Sequence, residues 1–199
     1  MERAARQSEL TWNRIYASRV STASADLTTR LLETYRAPGG YYDPSRWWLD
    51  ASLMADTVAG LADLHREGHP TAVAGVESRG QMLGALVARH LGIAFVEIRK
   101  NKHPLGVGEQ LLRQTTPPDY KERGLVLAMR RGLLGARDRV LLVDDWIATG
   151  AQATAARALV DDAGATWVGV SVIVDGAPAA YRQALGVRSL VRAGQLPDG

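Results

Sequence analysis

Two adjacent carboxylates, Asp144 and Asp145, directly follow the apolar run of residues 140–143. A turn of small residues comes next, and a helical pattern begins after it. Carboxylates at the end of a buried strand are costly unless they are paired or bind something. Their oxygens accept hydrogen bonds from sugar hydroxyls and also suit a position near a cation. The pattern therefore predicts a polar ligand at this strand end.

The turn itself has the composition of an anion site. Ala148, Thr149, Gly150 and Ala151 are small, so the backbone can approach a ligand closely. A helix that begins near Gln152 directs its free amides and its positive dipole end at the turn, and Thr149 adds a hydroxyl. A phosphate site beside two carboxylates that accept hydrogen bonds suits a phosphorylated sugar as ligand. The alternative is an ordinary strand–turn–helix junction in which an aspartate caps the helix.

From residue 71 onwards, short apolar runs alternate with helical patterns. Unbroken apolar strands that alternate with helices indicate a mostly parallel sheet covered on both faces, so we expect an α/β fold. Polar segments follow the runs at residues 71–76, 93–98 and 140–143. In such a sheet these segments meet outside the carboxyl ends of the strands, where ligands bind.

The chain before residue 71 has helical spacing of apolar residues over residues 25–36 and 44–68, with a Pro- and Gly-containing break between them. We expect an N-terminal helical segment and hood at residues 1–66 and a core at residues 67–199, together forming one domain. Residues 99–123 form a long polar segment with proline and glycine.

Composition excludes several classes of protein. The 199 residues are 46% hydrophobic but contain no apolar run long enough for a membrane span, and we expect neither a signal peptide nor a membrane partner. The absence of cysteine excludes disulfides and thiolate catalysis and fits a reducing cytoplasm. The net charge of +3 suits either a polyanionic partner or an ordinary arginine-rich surface.

Two stretches resemble a known family. The sequence VLLVDDWIATGA, residues 140–151, resembles the phosphoribosyl-pyrophosphate signature of type I phosphoribosyltransferases. The stretch from AGVESRG to HPLG, residues 74–106, resembles the matching part of the adenine-type enzymes, in the same order along the chain. The resemblance implies transfer of a 5-phosphoribosyl group from phosphoribosyl pyrophosphate to adenine or a purine-like base, with release of diphosphate. It also implies Mg²⁺ as cofactor, a role in purine salvage and a homodimer.

The resemblance also implies roles for individual residues. The ribose would be held by Asp144 and Asp145, and its phosphate by the turn from Ala148 to Gln152. The loop that holds the diphosphate would contain Glu77, Ser78, Arg79 and Gly80, with a cis peptide bond between Glu77 and Ser78. Further diphosphate contacts would come from Arg99, Lys100 and Lys102, at the start of a lid that reaches about residue 118. The candidate acid/base is Asp119, with Glu122 in reserve; ordinary solvated loop residues are the alternative reading of the lid and of its acids.

Departures from the family pattern bear on the acceptor. Enzymes acting on 6-oxopurines usually carry an aspartate at the position of Ala148, which argues against that type. The adenine pattern usually has Gly and Thr where this chain has Ala151 and Gln152. Aromatic residues in the hood could stack on a base or pack in a core or dimer: Tyr41, Tyr42, Trp47 and Trp48.

Two other functions stay open at this point. One is a non-catalytic protein of the same fold that binds phosphoribosyl pyrophosphate or a nucleotide and regulates transcription. The first 40 residues contain no clear helix-turn-helix pattern, so we expect no nucleic-acid partner. The other is a related transferase or lyase that acts on a phosphorylated sugar.

Overall fold

The apolar runs form one seven-stranded sheet in the computed structural model, which describes residues 26–37, 42–100, 110–117 and 124–197. The strands are β1 (Ala72–Val76), β2 (Ala94–Lys100), β3 (Leu111–Thr115), β4 (Val126–Arg130), β5 (Arg139–Ile147), β6 (Thr166–Asp175) and β7 (Val187–Arg192). Five strands, in the order β2-β1-β5-β6-β7, are parallel, and the antiparallel pair β3-β4 extends the sheet beyond β2. The predicted mostly parallel α/β sheet is confirmed.

Helices cover both faces of this sheet. Phe95 of β2 faces the helix Arg79–Leu91, where Gly84 leaves room for its ring, whereas its neighbours Val96 and Ile98 belong to the core that includes Leu159 of the helix Ala151–Asp162. This alternation is the period-two pattern of a strand buried on both sides. The helices are α1 (residues 26–34), α2 (Ser45–Leu49), α3 (Ala51–Asp63), α4 (Arg79–Leu91), α5 (Ala151–Asp162) and α6 (Ala179–Leu185).

The chain divides into two compact units, Met1–Asp56 with Leu196–Gly199 and Thr57–Gln195, and the second contains the whole sheet. The predicted division into a hood of residues 1–66 and a core of residues 67–199 stays a prediction. Within the described ranges, no helix combines the length and the apolar character needed to cross a bilayer.

The strand that carries the two carboxylates is longer than expected. We predicted that it ends at Val143, but β5 continues through Asp144 and Asp145 to Ile147. The reason is pairing with β6, because Trp146 lies opposite Val174 and Ile147 opposite Asp175. The aspartates are thus fixed by strand pairing and do not lie in a free loop.

The polar segment that we assigned to a lid contains regular structure. Arg99 and Lys100 are the last residues of β2, and Leu111–Thr115 form the edge strand β3, so the segment that we expected to be a lid up to about residue 118 is not loop at these positions. Antiparallel pairing with β4 holds β3, and its exposed side chains gave it a polar sequence. Residues 101–109 lie outside the described part of the chain.

The helix expected over residues 44–68 is two α-helices, α2 and α3, followed by the 3₁₀ turn Arg66–Gly68. The break falls at Asp50, whose Oδ1 accepts hydrogen bonds from the backbone N–H groups of Ser52 and Leu53, each at 2.9 Å. This is the geometry of a helix N-cap, so α3 begins anew after Asp50.

Candidate active site

The loop after β1 is bound to the end of the neighbouring strand β2. The backbone N–H of Glu77 donates to the carbonyl of Ile98 at 2.9 Å, and the N–H of Lys100 donates to Glu77 Oε2 at 2.9 Å. The peptide bond between Glu77 and Ser78 is cis, as the resemblance implies. Helix α4 begins directly afterwards at Arg79, so its first amides lie at the carboxyl edge of the sheet.

Helix α4 starts against the carboxylate of Asp144. A Cβ atom on Gly80 would lie 3.0 Å from Asp144 Oδ1 and 3.1 Å from the carbonyl oxygen of Val143. Those separations are tighter than ordinary van der Waals contact, so only glycine allows this approach without displacement. Gly80 is therefore the point where the start of α4 contacts the acidic end of β5.

Asp145 is paired with the first residue of α4. Arg79 Nε lies 2.5 Å from Asp145 Oδ2, and the Asp145 side chain is only 6% exposed whereas that of Arg79 is 45% exposed. The ion pair is a second link between the two motif stretches, which are far apart in sequence. Arg79, which we predicted to bind diphosphate, is thus also the counter-charge of a buried carboxylate.

Asp144 and Asp145 also interact with each other. The backbone N–H of Asp145 donates to Asp144 Oδ1 at 2.9 Å. Removal from water raises the pKa of Asp144 well above its ordinary value, and the charge of Asp145 and a side-chain hydrogen bond with it raise this pKa further. The charge of Lys100, which lies nearby, acts in the opposite direction but is the weaker influence.

The small-residue turn leads into α5 as the sequence predicts. Gly150 is the N-cap residue, with a φ of 81°, a left-handed conformation that favours glycine. The first helical hydrogen bond runs from Thr154 N–H to the Gly150 carbonyl at 2.9 Å. The amides of Ala151, Gln152 and Ala153 therefore precede the helical ladder, although Ala151 N–H donates to Thr149 Oγ1 at 3.3 Å.

The turn accommodates Ala151 and Gln152, the two residues that depart from the adenine-type pattern. Ala151 is the first residue of α5 and is 7% exposed, so its methyl group packs inside without a strained backbone. Gln152 is exposed, as is Ala148, whereas Thr149 is half-buried. The turn can offer backbone amides and one hydroxyl to an anion, which is the chemistry predicted for it.

The basic residues at the end of β2 are only partly described. The Arg99 guanidinium binds both carboxylate oxygens of Glu97, at 3.0 and 3.1 Å, and this contact raises its pKa. Lys102, Asp119 and Glu122 lie outside the described residues, so their predicted roles stay predictions.

Sequence reasoning missed a second acidic centre at this edge of the sheet. Asp175, the last residue of β6, is 2% exposed; its Oδ2 lies 2.5 Å from Arg182 Nε and 2.5 Å from Arg192 Nη1. Its Oδ1 accepts a hydrogen bond from Ala177 N–H at 2.8 Å. The signal was present, because an aspartate at the end of an apolar strand is the pattern that drew attention to Asp144.

Comparison with known proteins decides the family of this chain. A family model described as "Phosphoribosyl transferase domain" matches residues 49–187. The chain belongs to this family. Its activity is therefore phosphoribosyl transfer, and the resemblance seen in the two motif stretches is confirmed.

Individual members of the family are similar along most of this chain. The adenine phosphoribosyltransferase of Kineococcus radiotolerans is 41% identical over 143 residues, which are 71% of this chain and 74% of the relative. The crystal structure of the adenine phosphoribosyltransferase from Rhodothermus marinus has a TM-score of 0.71 at 27% identity and covers 84% of this chain and 99% of its own. The structure of the Trypanosoma brucei enzyme, in complex with AMP, pyrophosphate and ribose-5-phosphate, has a TM-score of 0.72 at 26% identity. The match covers 86% of this chain and 82% of the Trypanosoma brucei chain.

The unusual aromatic residues of this phosphoribosyltransferase pack on one another. Trp47 is 1% exposed, and its Nε1–H donates to the Leu31 carbonyl at 3.1 Å. Its ring centroid lies 6.2 Å from that of Tyr35, 5.8 Å from Tyr42 and 6.1 Å from Trp48. Of the open alternatives, Trp47 is core packing in the N-terminal unit. Tyr41 lies outside the described residues.

Proposed function

We propose that this phosphoribosyltransferase transfers the 5-phosphoribosyl group of phosphoribosyl pyrophosphate to adenine, or to a closely similar purine, and releases diphosphate. The observation that carries the proposal is the double contact between the two motif stretches, Gly80 against Asp144 and Arg79 with Asp145. Adenine is favoured because the similar enzymes are named for it.

The geometry supports a separate binding position for the 5-phosphate, the ribose and the diphosphate of phosphoribosyl pyrophosphate. The amides at the start of α5 suit the 5-phosphate, and Asp144 and Asp145 suit the ribose hydroxyls. The loop from Glu77 to Gly80, with Arg79, suits the diphosphate. These places lie at the carboxyl ends of β1 and β5, which are paired in the sheet. A structurally similar enzyme, that of Trypanosoma brucei, has been seen in complex with AMP, pyrophosphate and ribose-5-phosphate, and these molecules contain the same phosphate, ribose and diphosphate groups.

The reaction breaks the bond between C1 of the ribose and a diphosphate oxygen, and it forms a bond between C1 and a ring nitrogen of the base. The ring nitrogen loses its proton, for which Asp119 is our predicted acceptor. Positive charge develops on the ribose in the transition state, and a carboxylate fixed beside it by strand pairing stabilises that charge. The residues of β5 thus contribute positioning and electrostatics.

Magnesium fits the donor set at this edge of the sheet. Among the described residues, no group of three acidic, histidine or cysteine side chains could hold a metal ion alone. Mg²⁺ commonly uses one or two carboxylates together with substrate phosphates, and Asp144 and Asp145 could supply those carboxylates. When bound, the ion would neutralise charge on the leaving diphosphate.

The test is diphosphate release from phosphoribosyl pyrophosphate with and without Mg²⁺, over adenine, guanine, hypoxanthine, xanthine, uracil and orotate. We expect release with adenine that EDTA abolishes and excess Mg²⁺ restores. Release with another base instead would overturn the choice of adenine, and equal release in EDTA would overturn the cofactor. The same preparation, measured by sedimentation, tests the proposed homodimer.

No release with any base, combined with tight binding of phosphoribosyl pyrophosphate, would contradict the proposed transfer and favour the regulatory alternative. A salt-dependent complex with duplex DNA would then be the supporting result. Arg79→Ala provides a second check, because we expect weaker product inhibition by diphosphate. Unchanged inhibition would remove Arg79 from the diphosphate site. Salvage in the cytoplasm is the cellular role that we propose for the reaction.

A further inference from the structure

An aromatic side chain lies against the turn that begins α5. A Cβ atom on Gly150 would lie 3.1 Å from each of three Tyr181 atoms, Cβ, Cγ and Cδ1. Tyr181 is nevertheless 39% exposed, so its ring is not simply core packing. The ring therefore covers one side of the N-cap of α5 and keeps a surface open to solvent or ligand.

The position of Tyr181 is fixed from both sides. Arg182, the residue that follows Tyr181 in the chain, forms an ion pair with buried Asp175, and its Nη2 also donates to the Ala177 carbonyl at 2.6 Å. From α5, Arg157 Nη1 donates to the Ala184 carbonyl at 2.7 Å. Helix α6 is thus tied to β6 and to α5. The contact between Tyr181 and Gly150 is a product of this bracing.

We propose that Tyr181 is a positioning residue for the 5-phosphate of the sugar, an inference that rests on the proposed function. Its ring shields the amides at the start of α5 from water and keeps the Gly150 turn in place. Amide–anion attraction is stronger where water is excluded, so the ring increases the affinity for a phosphomonoester. The diphosphate, which the Glu77–Gly80 loop would hold, should not depend on it.

The experiment measures binding of ribose 5-phosphate and of diphosphate separately, by calorimetry, to the full chain. We expect Tyr181→Ala to raise the Kd for ribose 5-phosphate about fivefold, with the Kd for diphosphate unchanged. Tyr181→Phe keeps the ring and should bind like the unaltered protein. Gln183→Ala, an exposed position on the same helix, is the matched control. In turnover, KM for phosphoribosyl pyrophosphate should rise with little change in kcat.

Three results would overturn the proposal: unchanged affinity for ribose 5-phosphate in Tyr181→Ala, equal weakening of both ligands, or Tyr181→Phe as weak as Tyr181→Ala. If Tyr181→Ala does not fold, Tyr181→Leu replaces it. Unaltered protein that binds ribose 5-phosphate but transfers nothing refutes the proposed reaction and leaves the Tyr181 comparison valid. Unaltered protein that does not bind ribose 5-phosphate overturns the role of Tyr181.

Discussion

The ends of two neighbouring strands, β5 and β6, both carry buried aspartate, but their surroundings differ. Asp175 at the end of β6 has two arginines and a backbone N–H on its carboxylate. At the end of β5, Asp144 and Asp145 lie next to each other, and Arg79 is their ion-pair partner among the described residues. One carboxylate is fully neutralised, and the pair beside it is not.

This difference fits a structural role for Asp175 and supports the proposed ligand-binding role of Asp144 and Asp145. A buried charge that is completely compensated holds elements together, as Asp175 does for α6 and β7. Adjacent carboxylates are unfavourable in the ligand-free protein: burial, and after it the charge of Asp145, raises the pKa of Asp144, and the nearby charge of Lys100 offsets this only in part. Hydroxyl groups or a cation would stabilise such a site, so the incomplete compensation supports the proposal that the sugar binds there.

The largest expected effect of this contrast is on turnover. Asp145→Asn should reduce kcat/KM about 100-fold or more, because the variant loses a charge aimed at the transition state. Its Tm should change little, since the amide is nearly isosteric and the 45% exposed Arg79 is solvated by water. The control is Asp63→Asn, which removes the exposed ion pair with Arg66. Turnover that matches the control would exclude Asp145 from the site.

The reverse pattern is expected at the end of β6. Asp175→Asn should lower the free energy of unfolding by about 3 kcal/mol, because two arginines lose their shared carboxylate. Turnover per folded molecule should fall far less than in Asp145→Asn. Urea denaturation of both variants, with kinetics on the same samples, measures the contrast. Equal destabilisation by the two substitutions would remove the distinction between the strands.

Much of this fold could be predicted from the chain because its central strands are apolar runs. Edge strand β3 could not, since Arg113 and Thr115 face solvent there and the alternation is short. The extension of β5 beyond Val143 could not be predicted either, because aspartate has a low strand propensity. The extension depends on pairing with β6, which is distant in sequence. Local pattern thus finds buried strands, and pairing decides where they end.

The local geometry of the candidate site could be predicted where its residues are contiguous, as in the cis peptide bond between Glu77 and Ser78 and the turn that leads from Ala148 into α5. Asp175 was missed because its partners are brought together only by the fold. Arg192 reaches it through the parallel register of β6 and β7, in which these two residues lie opposite each other. The spacing of residues along the sequence does not predict the contact between Asp175 and Arg192.

The smallest expected effect is a pH-dependent change in stability from Asp144. Its pKa is raised in the folded state, so its contribution to stability is complete below the unfolded value of about 4 and is lost as pH rises through the folded pKa. Asp144→Asn cannot ionise and keeps its stability. The Tm of the variant minus that of the unaltered protein should therefore increase from about pH 4 upwards and level off above the folded pKa.

Lys100 sharpens this last test. Its charge lowers the folded-state pKa of Asp144, so Lys100→Met should extend the rise in the Tm difference to higher pH and to a larger final value, while the rise still begins near pH 4. Thermal melts of the ligand-free protein at intervals from acid to neutral pH measure both effects. A Tm difference that is flat, or that decreases with pH, would mean that Asp144 is adequately compensated without ligand. The contrast between β5 and β6 would then fail at the residue on which its electrostatic argument depends.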